Sequence, residues 1–191
     1  MEQYNNPLPK RMQDMATMNN FIRWCISQHT KTNHFYGDGD YIPYRFHLEM
    51  VVREVKAHFT VSGGFDIDAG KKLEMAAWGH DLIEDTRVTY NDVLEACKDK
   101  AVADIIYAVT NEKGKNRKER GNDKYYQGIR DTAGAGFVKF CDRIANVKYS
   151  KLTGSSMFEM YRKENDGYIE KCYTEDLAPY GLKETLLSLF E

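Results

Sequence analysis

The chain has 191 residues, of which 42% are hydrophobic and 29% are charged, so its composition is that of a folded globular domain and excludes disordered and fibrous architectures. Its 27 basic and 29 acidic residues give a net charge of -2, so no overall positive field draws it to duplex nucleic acid or to an anionic membrane surface. Any anionic ligand must therefore be bound by local groups.

The N-terminus lacks the apolar stretch of a secretory signal, and no later run approaches the ~20 apolar residues of a membrane span. The four cysteines, Cys25, Cys97, Cys141 and Cys172, are widely spaced and form no C-x-x-C pair. We therefore predict reduced thiols in a cytoplasmic protein, with a disulfide framework or a zinc site as the alternatives. A chain of this size folds without a metal, so a bound metal would serve chemistry.

Apolar residues recur at spacings of three and four far more often than at two, which predicts a mainly helical fold with few or no strands. We expect a single domain over residues 1–191. The first two predicted helices cover residues 18–28 and 45–59, and residues 29–44 between them, rich in Gly, Asp and Tyr, form a long surface loop. A third helix is expected to begin with Asp68 as its N-cap and to continue without interruption to Ile83.

In the second half of the chain, Thr89 and Asp92 resemble a capping box that opens a short helix, and a further helix is predicted at about 100–110. Residues 111–124 are basic and poor in apolar side chains, which predicts an exposed segment. Ser156 and Glu159 are predicted to form a second capping box. The remaining predicted helices cover 125–131, 136–151, 157–173 and 182–190.

Polar groups are concentrated at the end of the third predicted helix. Residues 79–86 read Gly-His-Asp-Leu-Ile-Glu-Asp-Thr, which places a histidine and three carboxylates beside apolar neighbours. Each unpaired charge there carries a desolvation cost of several kcal/mol, which a divalent cation would offset. In a continuous helix Glu84 shares a face with His80 and Asp81, and Asp85 lies at the rim.

Further metal ligands must come from other helices, and two residues are suitable. His47 lies on the apolar side of its helix, and Asp142 follows the largely apolar run 137–141. With His80 and Asp81 they provide two imidazoles and two carboxylates, which suits an octahedral Mn²⁺ or Fe²⁺ with about two open positions. The alternative is a metal-free cluster in which His80 pairs with Asp81, and Asp142 pairs with Lys139 or Arg143.

The order His47, His80-Asp81, Asp142 resembles the H…HD…D signature of the HD-domain metal-dependent phosphohydrolases. Residues 80–86 are similar to the HDxxEDT motif of the RelA/SpoT-type alarmone hydrolases, including the small single-domain forms. Residues 138–146 resemble the VKLADRxxN motif of the same branch, and Pro43-Tyr44 and Val109-Thr110 add further agreement. The resemblance extends in order over residues 18–173.

This resemblance implies an all-α, single HD-domain helical bundle that is a metal-dependent phosphohydrolase acting on a small phosphorylated nucleotide. The reaction it implies most specifically is removal of the 3′-pyrophosphate of ppGpp. Glu84 and Asp85 would be catalytic and would position or deprotonate the attacking water, and Asn146 would contact the substrate. An oligomer is compatible with the sequence. The metal ligands it implies for Mn²⁺, with Fe²⁺ or another divalent ion as alternatives, are His47, His80, Asp81 and Asp142.

One feature of that family is missing. Alarmone hydrolases carry an Arg-Lys pair in the loop before the first metal histidine, whereas residues 33–40 here contain neither residue. Phe35 or Tyr36 could stack on a base in its place, or could simply cover the core. The basic side chains predicted to meet phosphate are Arg117 within segment 111–124, together with Lys113, Lys115, Lys118 and Arg120 around it, and Lys139 and Arg143 beside Asp142.

Those basic side chains could equally be solvated or paired on the helix surface, and His29 and His58 are interpreted as ordinary histidines. Two other functions are compatible with the same residues. One is a nucleotide phosphatase of the same fold that acts on a nicotinamide dinucleotide phosphate or a deoxynucleotide. The other is a nucleotide-binding module without catalysis, which would not need Glu84 and Asp85. Segments 29–46 and 111–124 would distinguish the substrates.

Overall fold

The computed structural model describes residues 9–37, 39, 41–61 and 66–191. Its described part is almost entirely helical and contains one two-stranded hairpin, which confirms the predicted all-α class. In chain order the elements are α1 (Lys10–Lys31), β1 (Phe35–Tyr36), β2 (Ile42–Pro43), α2 (Arg45–Val61), α3 (Ile67–Gly79), α4 (Leu82–Asp85), α5 (Tyr90–Cys97), α6 (Lys100–Val109), α7 (Arg117–Arg120), α8 (Asp123–Asp131), α9 (Ala135–Thr153), α10 (Met157–Cys172), a 3₁₀ helix (Glu175–Tyr180) and α11 (Leu182–Ser188).

Helices α2, α3 and α9 form the centre of the bundle. Helix α2 packs against both α3 and α9, α6 packs against α3 and α9, and α10 and α11 cover α9 from outside. The core includes Leu48 from α2, Ala76 from α3, and Phe140 and Ile144 from α9, all of which are fully buried. Side chains of α2, α9 and the end of α3 therefore meet where water is largely excluded.

The helix starts were predicted with mixed success. Thr89 and Asp92 form the expected capping box of α5. The N-cap of α3 is Asp66 rather than Asp68, because the carboxylate of Asp66 accepts from two free backbone N–H groups at 3.0 Å while Asp68 lies within the first turn. The capping box predicted at Ser156 is wrong. Ser156 has helical backbone angles and makes no capping bond.

Two helix boundaries and one loop also differ from the prediction. Helix α1 begins at Lys10, whereas the predicted start was Met18. The first turns were not predicted because they are exposed and show no apolar periodicity. The predicted loop 29–44 contains the hairpin, in which Phe35 pairs with Pro43; positions 38 and 40 lie outside the described residues. The third helix does not run through to Ile83. It ends at Gly79, and α4 begins at Leu82.

The predicted thiols are confirmed as unpaired, since all four cysteines are buried and free. None of the helices within the described ranges is long and apolar enough to cross a lipid bilayer.

Candidate active site

The break between α3 and α4 carries His80 and Asp81. Asp81 has backbone angles of φ -101° and ψ 2°, outside the regular helix, and α4 starts directly after it. Gly79 permits the close packing before the break, because a Cβ there would lie 2.6 Å from Cδ1 of Ile106 in α6 and 3.1 Å from Cζ of Phe21 in α1. The position of His80 therefore depends on the close packing of α1, α3 and α6 around Gly79.

His47, His80 and Asp142 bring one donor atom each to the same buried point. Nε2 of His47 lies 3.2 Å from Nε2 of His80 and 3.3 Å from Oδ1 of Asp142. Nε2 of His80 lies 3.7 Å from that same oxygen. Two ligand atoms that are each ~2.1 Å from an octahedral ion and at right angles lie about 3 Å apart. The three side chains, all buried, therefore fit a divalent cation with small adjustments.

Asp81 lies beside this cluster. Its Oδ2 atom is 2.8 Å from Nε2 of His80 and 3.5 Å from Nε2 of His47, and the same oxygen accepts a hydrogen bond from the hydroxyl of Tyr44. Asp81 can therefore join the set as a fourth ligand or hold the two imidazoles in place. Its role as a ligand stays a prediction.

The hydrogen bond of His80 fixes the tautomer that a metal ligand needs. Nδ1 of His80 lies 2.8 Å from the carbonyl oxygen of Ala77, and because a carbonyl only accepts, Nδ1 carries the proton. In the neutral ring the lone pair of Nε2 then faces His47 and Asp142. Such a bond from the distal ring nitrogen to a backbone carbonyl is typical of metal-bound histidines.

The charges of the cluster depend on one another. Burial acts to lower the pKa of His80, but the carboxylates of Asp81 and Asp142 and the hydrogen bond to Ala77 together outweigh it and raise the pKa to about 9. Burial acts to raise the pKa of Asp142, but the ammonium of Lys139 and the two histidines hold it well below its usual range. Without an ion, protons on the imidazoles thus balance two buried carboxylates. A divalent cation would supply the same positive charge.

Asn146 and Tyr36 form a second layer around the cluster. The side-chain amide of Asn146 donates to Oδ1 of Asp142, and its own oxygen accepts from the hydroxyl of Tyr36 at 2.7 Å. The ring of Tyr36 stacks on that of His47, with centroids 4.7 Å apart and planes inclined by 11°. Both residues were predicted to contact the substrate. Here they contact Asp142 and His47, while Phe35 stays exposed beside Tyr41.

Glu84 and Asp85 lie on α4, directly after the break. The carboxylate of Glu84 accepts from the side-chain amide of Asn111 at 2.7 Å and from its backbone N–H at 3.2 Å. Asp85 lies 3.8 Å from Nδ1 of His34, and burial, together with the charges of Asp81 and Glu84, raises its pKa to about 7. Neither Asn111 nor His34 was predicted as a partner of these carboxylates from the sequence. The available signal for Asn111 was a polar residue two positions after the end of the largely apolar helix α6.

A cavity of about 550 Å³ extends from the metal cluster towards α7 and α10. Its wall contains Glu84, Asp85 and Asn111, together with Tyr161 and Glu164 of α10. The contribution of α10 was not predicted. The cationic residues that line this cavity are Arg117, Lys118, Arg120, Lys139, Arg143, Lys163 and Lys171.

Lys139 and Arg143, both predicted to bind phosphate, have partners within the protein. Nζ of Lys139 donates to Oδ2 of Asp142 at 3.0 Å, as the metal-free alternative predicted. The guanidinium of Arg143 lies between the rings of Tyr161 and Tyr168, at 4.7 and 4.3 Å from their centroids. Both cations nevertheless border the cavity, so both remain available to an anionic ligand.

Neither a protein-family model nor a curated protein sequence matches this chain. A solved structure does match it: that of a metazoan ortholog of SpoT, described as hydrolysing ppGpp and playing a role in starvation responses. The two chains are 19% identical, with a TM-score of 0.66, and the match covers 92% of this chain and 94% of the other. The likeness confirms the helical HD-domain fold predicted from the motifs.

Proposed function

We propose that this protein is a divalent-metal-dependent phosphohydrolase of a small phosphorylated nucleotide, and that its reaction is removal of the 3′-pyrophosphate of ppGpp. The observation that carries the proposal is the buried convergence of His47, His80 and Asp142, with donor atoms 3.2 to 3.7 Å apart, at one end of a cavity lined by cations. The likeness in fold to a ppGpp hydrolase supports the choice of substrate.

The ion would be held by His47, His80 and Asp142, with Asp81 as the fourth ligand. A mixed set of imidazole and carboxylate donors suits Mn²⁺ or Fe²⁺. When bound, such an ion neutralises charge on a phosphoryl group and makes a water molecule more acidic. The hydrogen bond from His80 to Ala77 keeps Nε2 available for the ion.

Glu84 is the proposed general base. Asn111 holds both oxygens of its carboxylate, which fixes the direction from which a water molecule can be deprotonated. The water oxygen attacks the phosphorus next to the 3′ oxygen, and Glu84 takes one proton from the water. The bond between that phosphorus and the 3′ oxygen breaks, and the 3′ oxygen takes up a proton to become a hydroxyl. The products are GDP and pyrophosphate. Asp85 borders the same cavity and would orient the water.

The substrate's phosphates would be bound by the cationic wall, chiefly by Arg117, Lys139 and Arg143. Charge-assisted contacts of this kind contribute about 1.5–3 kcal/mol each. Tyr36 contacts His47 and Asn146 contacts Asp142, which supports a role for both in positioning the metal ligands. Asn146 also lines the cavity, so the substrate contact predicted for it from the sequence remains part of the proposal.

A second specificity is supported by one observation. Within the described part of segment 29–46, Tyr44 is the residue that lines the cavity, and this segment lacks the Arg-Lys pair of the alarmone hydrolases. A phosphatase acting on a nicotinamide dinucleotide phosphate or a deoxynucleotide is therefore the alternative. The ordered carboxylate of Glu84 argues against a module that only binds nucleotide.

The test is to incubate the Mn²⁺-loaded protein with ppGpp and with a panel of other phosphorylated nucleotides, and to identify the products by mass. We expect GDP and pyrophosphate from ppGpp, and no product from the Asp142→Ala variant. Intact ppGpp together with cleavage of another nucleotide would reject the alarmone assignment and keep the phosphohydrolase. Failure to cleave any nucleotide, with stoichiometric metal bound, would reject the proposal that this protein is a phosphohydrolase of nucleotides.

A further inference from the structure

Glu164 of α10 binds two arginines that come from different parts of the fold. Its carboxylate accepts from Nε and Nη2 of Arg117 on α7, at 3.3 and 3.1 Å. One of its oxygens also accepts from Nη1 and Nη2 of Arg143 on α9, at 3.4 and 3.5 Å. All three side chains line the cavity that begins at the metal cluster.

The charges of this triad do not balance. Two guanidinium groups share one carboxylate, which leaves about one unit of positive charge at the cavity wall. The side chain of Arg143 is only 10% exposed, and its hydrogen bonds to Glu164 are long for a charge-assisted pair, whose usual N···O distance is about 2.7–2.9 Å. A phosphate group, with more acceptor oxygens and more negative charge than one carboxylate, would match the two guanidinium forks better.

We propose that Glu164 is an internal counterion that occupies, in the ligand-free protein, the place of a substrate phosphate between Arg117 and Arg143, and that the phosphate displaces it. The inference rests on the proposed function, because it assumes that the ligand of this cavity carries phosphate. It assigns to Glu164 a positioning role. The residue neutralises part of the charge of the two arginines before the substrate arrives and competes with anions for them.

Displacement of Glu164 from Arg117 would also affect the segment that contains α7. Arg117 opens a four-residue helix in the basic segment 111–124, and its pair with Glu164 connects that segment to α10. Within the segment, Glu119 binds the backbone N–H of Lys115 and the side-chain amide of Asn116. The segment thus has local order of its own, and Glu164 fixes where it lies over the cavity.

The main experiment measures the binding of inorganic pyrophosphate to the purified protein by calorimetry, with and without stoichiometric Mn²⁺. Glu164→Gln keeps the shape of the side chain and removes its charge, so pyrophosphate no longer competes with a carboxylate. Because Glu164 is partly exposed and screened by salt, we expect a dissociation constant roughly 3- to 10-fold lower than in the unaltered protein. Arg117→Gln should raise the dissociation constant.

Glu159→Gln is the matched control. Glu159 lies on the same helix and pairs with Arg162 at 3.5 Å, and neither residue lines the cavity. Removal of the charge of Glu159 should leave pyrophosphate binding unchanged. In steady-state kinetics, Glu164→Gln should lower KM for the substrate and leave kcat within about twofold, a split that loss of a merely structural ion pair would not produce.

Limited trypsin digestion gives a second measurement that does not depend on turnover. Cleavage within segment 111–124 should be faster in Glu164→Gln than in Glu159→Gln, and pyrophosphate should slow it in the Glu164 variant. Pyrophosphate binding that is unchanged or weaker in a folded Glu164→Gln protein would overturn the proposal. If ppGpp is not cleaved but the pyrophosphate result holds, the counterion role stands and the proposed reaction fails.

Discussion

The hydroxyl of Tyr36 donates a hydrogen bond to Oδ1 of Asn146 over 2.7 Å, and this bond fixes which way the amide of Asn146 points. The amino group of that amide therefore faces Asp142, to whose Oδ1 it donates. The ring of Tyr36 also covers His47. A residue on the small hairpin thus orients two of the proposed metal ligands, which lie on different central helices.

The first prediction is that Tyr36→Phe lowers the affinity for Mn²⁺. The change keeps the ring on His47 but removes the bond that orients Asn146 and, through it, Asp142. Loss of such outer contacts typically costs 10- to 100-fold in metal affinity, and we expect about tenfold, measured by calorimetric titration of Mn²⁺. Tyr41→Phe, in an exposed tyrosine beside the same hairpin, is the control. Equal affinities in the two variants would contradict the positioning role.

The second prediction concerns the ligand set itself. His80→Ala should abolish metal retention and Asp142→Ala should weaken it severely, because each removes a donor atom from the buried cluster. His58→Gln alters a histidine that binds the backbone of Tyr180, outside this cluster, and should keep the metal. Metal content is measured by elemental analysis after dialysis. Stoichiometric Mn²⁺ in the His80→Ala protein would show that these residues are not the ligands.

The third prediction separates catalysis from metal binding. Glu84→Gln should reduce kcat by roughly 10² or more, in line with the contribution of a general base, while Mn²⁺ affinity persists. Asn111→Ala leaves the carboxylate in place but removes its side-chain partner, so a smaller loss of about tenfold is expected. Near-normal turnover in Glu84→Gln would exclude it as the base.

The sequence predicted the helices and the cluster for one shared reason. Apolar periodicity and the cost of burying a charge are properties of short segments, so both can be recognised from the sequence without knowing which segments pack together. The first turns of α1 were missed because an exposed helix needs no apolar face, and the end of α3 at Gly79 was missed because it depends on contacts with Ile106 and Phe21.

The outer residues of the site could not be predicted from local patterns. Asn111 meets Glu84 across 27 positions of sequence, and Arg117 meets Glu164 across 47. Each pair exists only because segments that are distant in the sequence pack side by side. The sequence therefore indicated the residues that are costly to bury, such as Asp142. It did not indicate partly exposed residues whose role is a contact with a residue far away in the sequence.

The fourth prediction uses two glycines as a matched pair. Gly79→Ala introduces a methyl group within 2.6 Å of Ile106 and should cost about 1–3 kcal/mol of unfolding free energy. Because His80 is the next residue, Mn²⁺ affinity should also fall. Gly128→Ala, in a helix position where no atom outside the helix's own backbone lies within 4 Å of the new methyl, should stabilise by about 0.5–1 kcal/mol. Urea unfolding tests both, and equal stabilities would refute the packing argument.

The last prediction concerns the stability of the protein in acid and depends on His29. This histidine is 1% exposed; its ring stacks on Tyr44, and its Nδ1 lies 3.1 Å from that of His34. Burial lowers its pKa to about 4; the carboxylate of Asp81 opposes this, and the positive charges of the nearby histidines add to it. In the unfolded chain the pKa is about 6.5.

The unfolded state therefore binds a proton at His29 that the folded state excludes. Above about pH 6.5, His29 is neutral in both states and does not affect the free energy of unfolding. Below pH 6.5 the free energy of unfolding falls as the pH approaches 4, and below about pH 4 it levels off. His29→Gln removes this titration, so the variant should lose less stability than the unaltered protein between pH 7 and 4.5. The measurement is urea unfolding across this range with a chelator present, because metal binding has its own pH dependence. If the two stability curves run parallel, His29 is not the source of acid sensitivity.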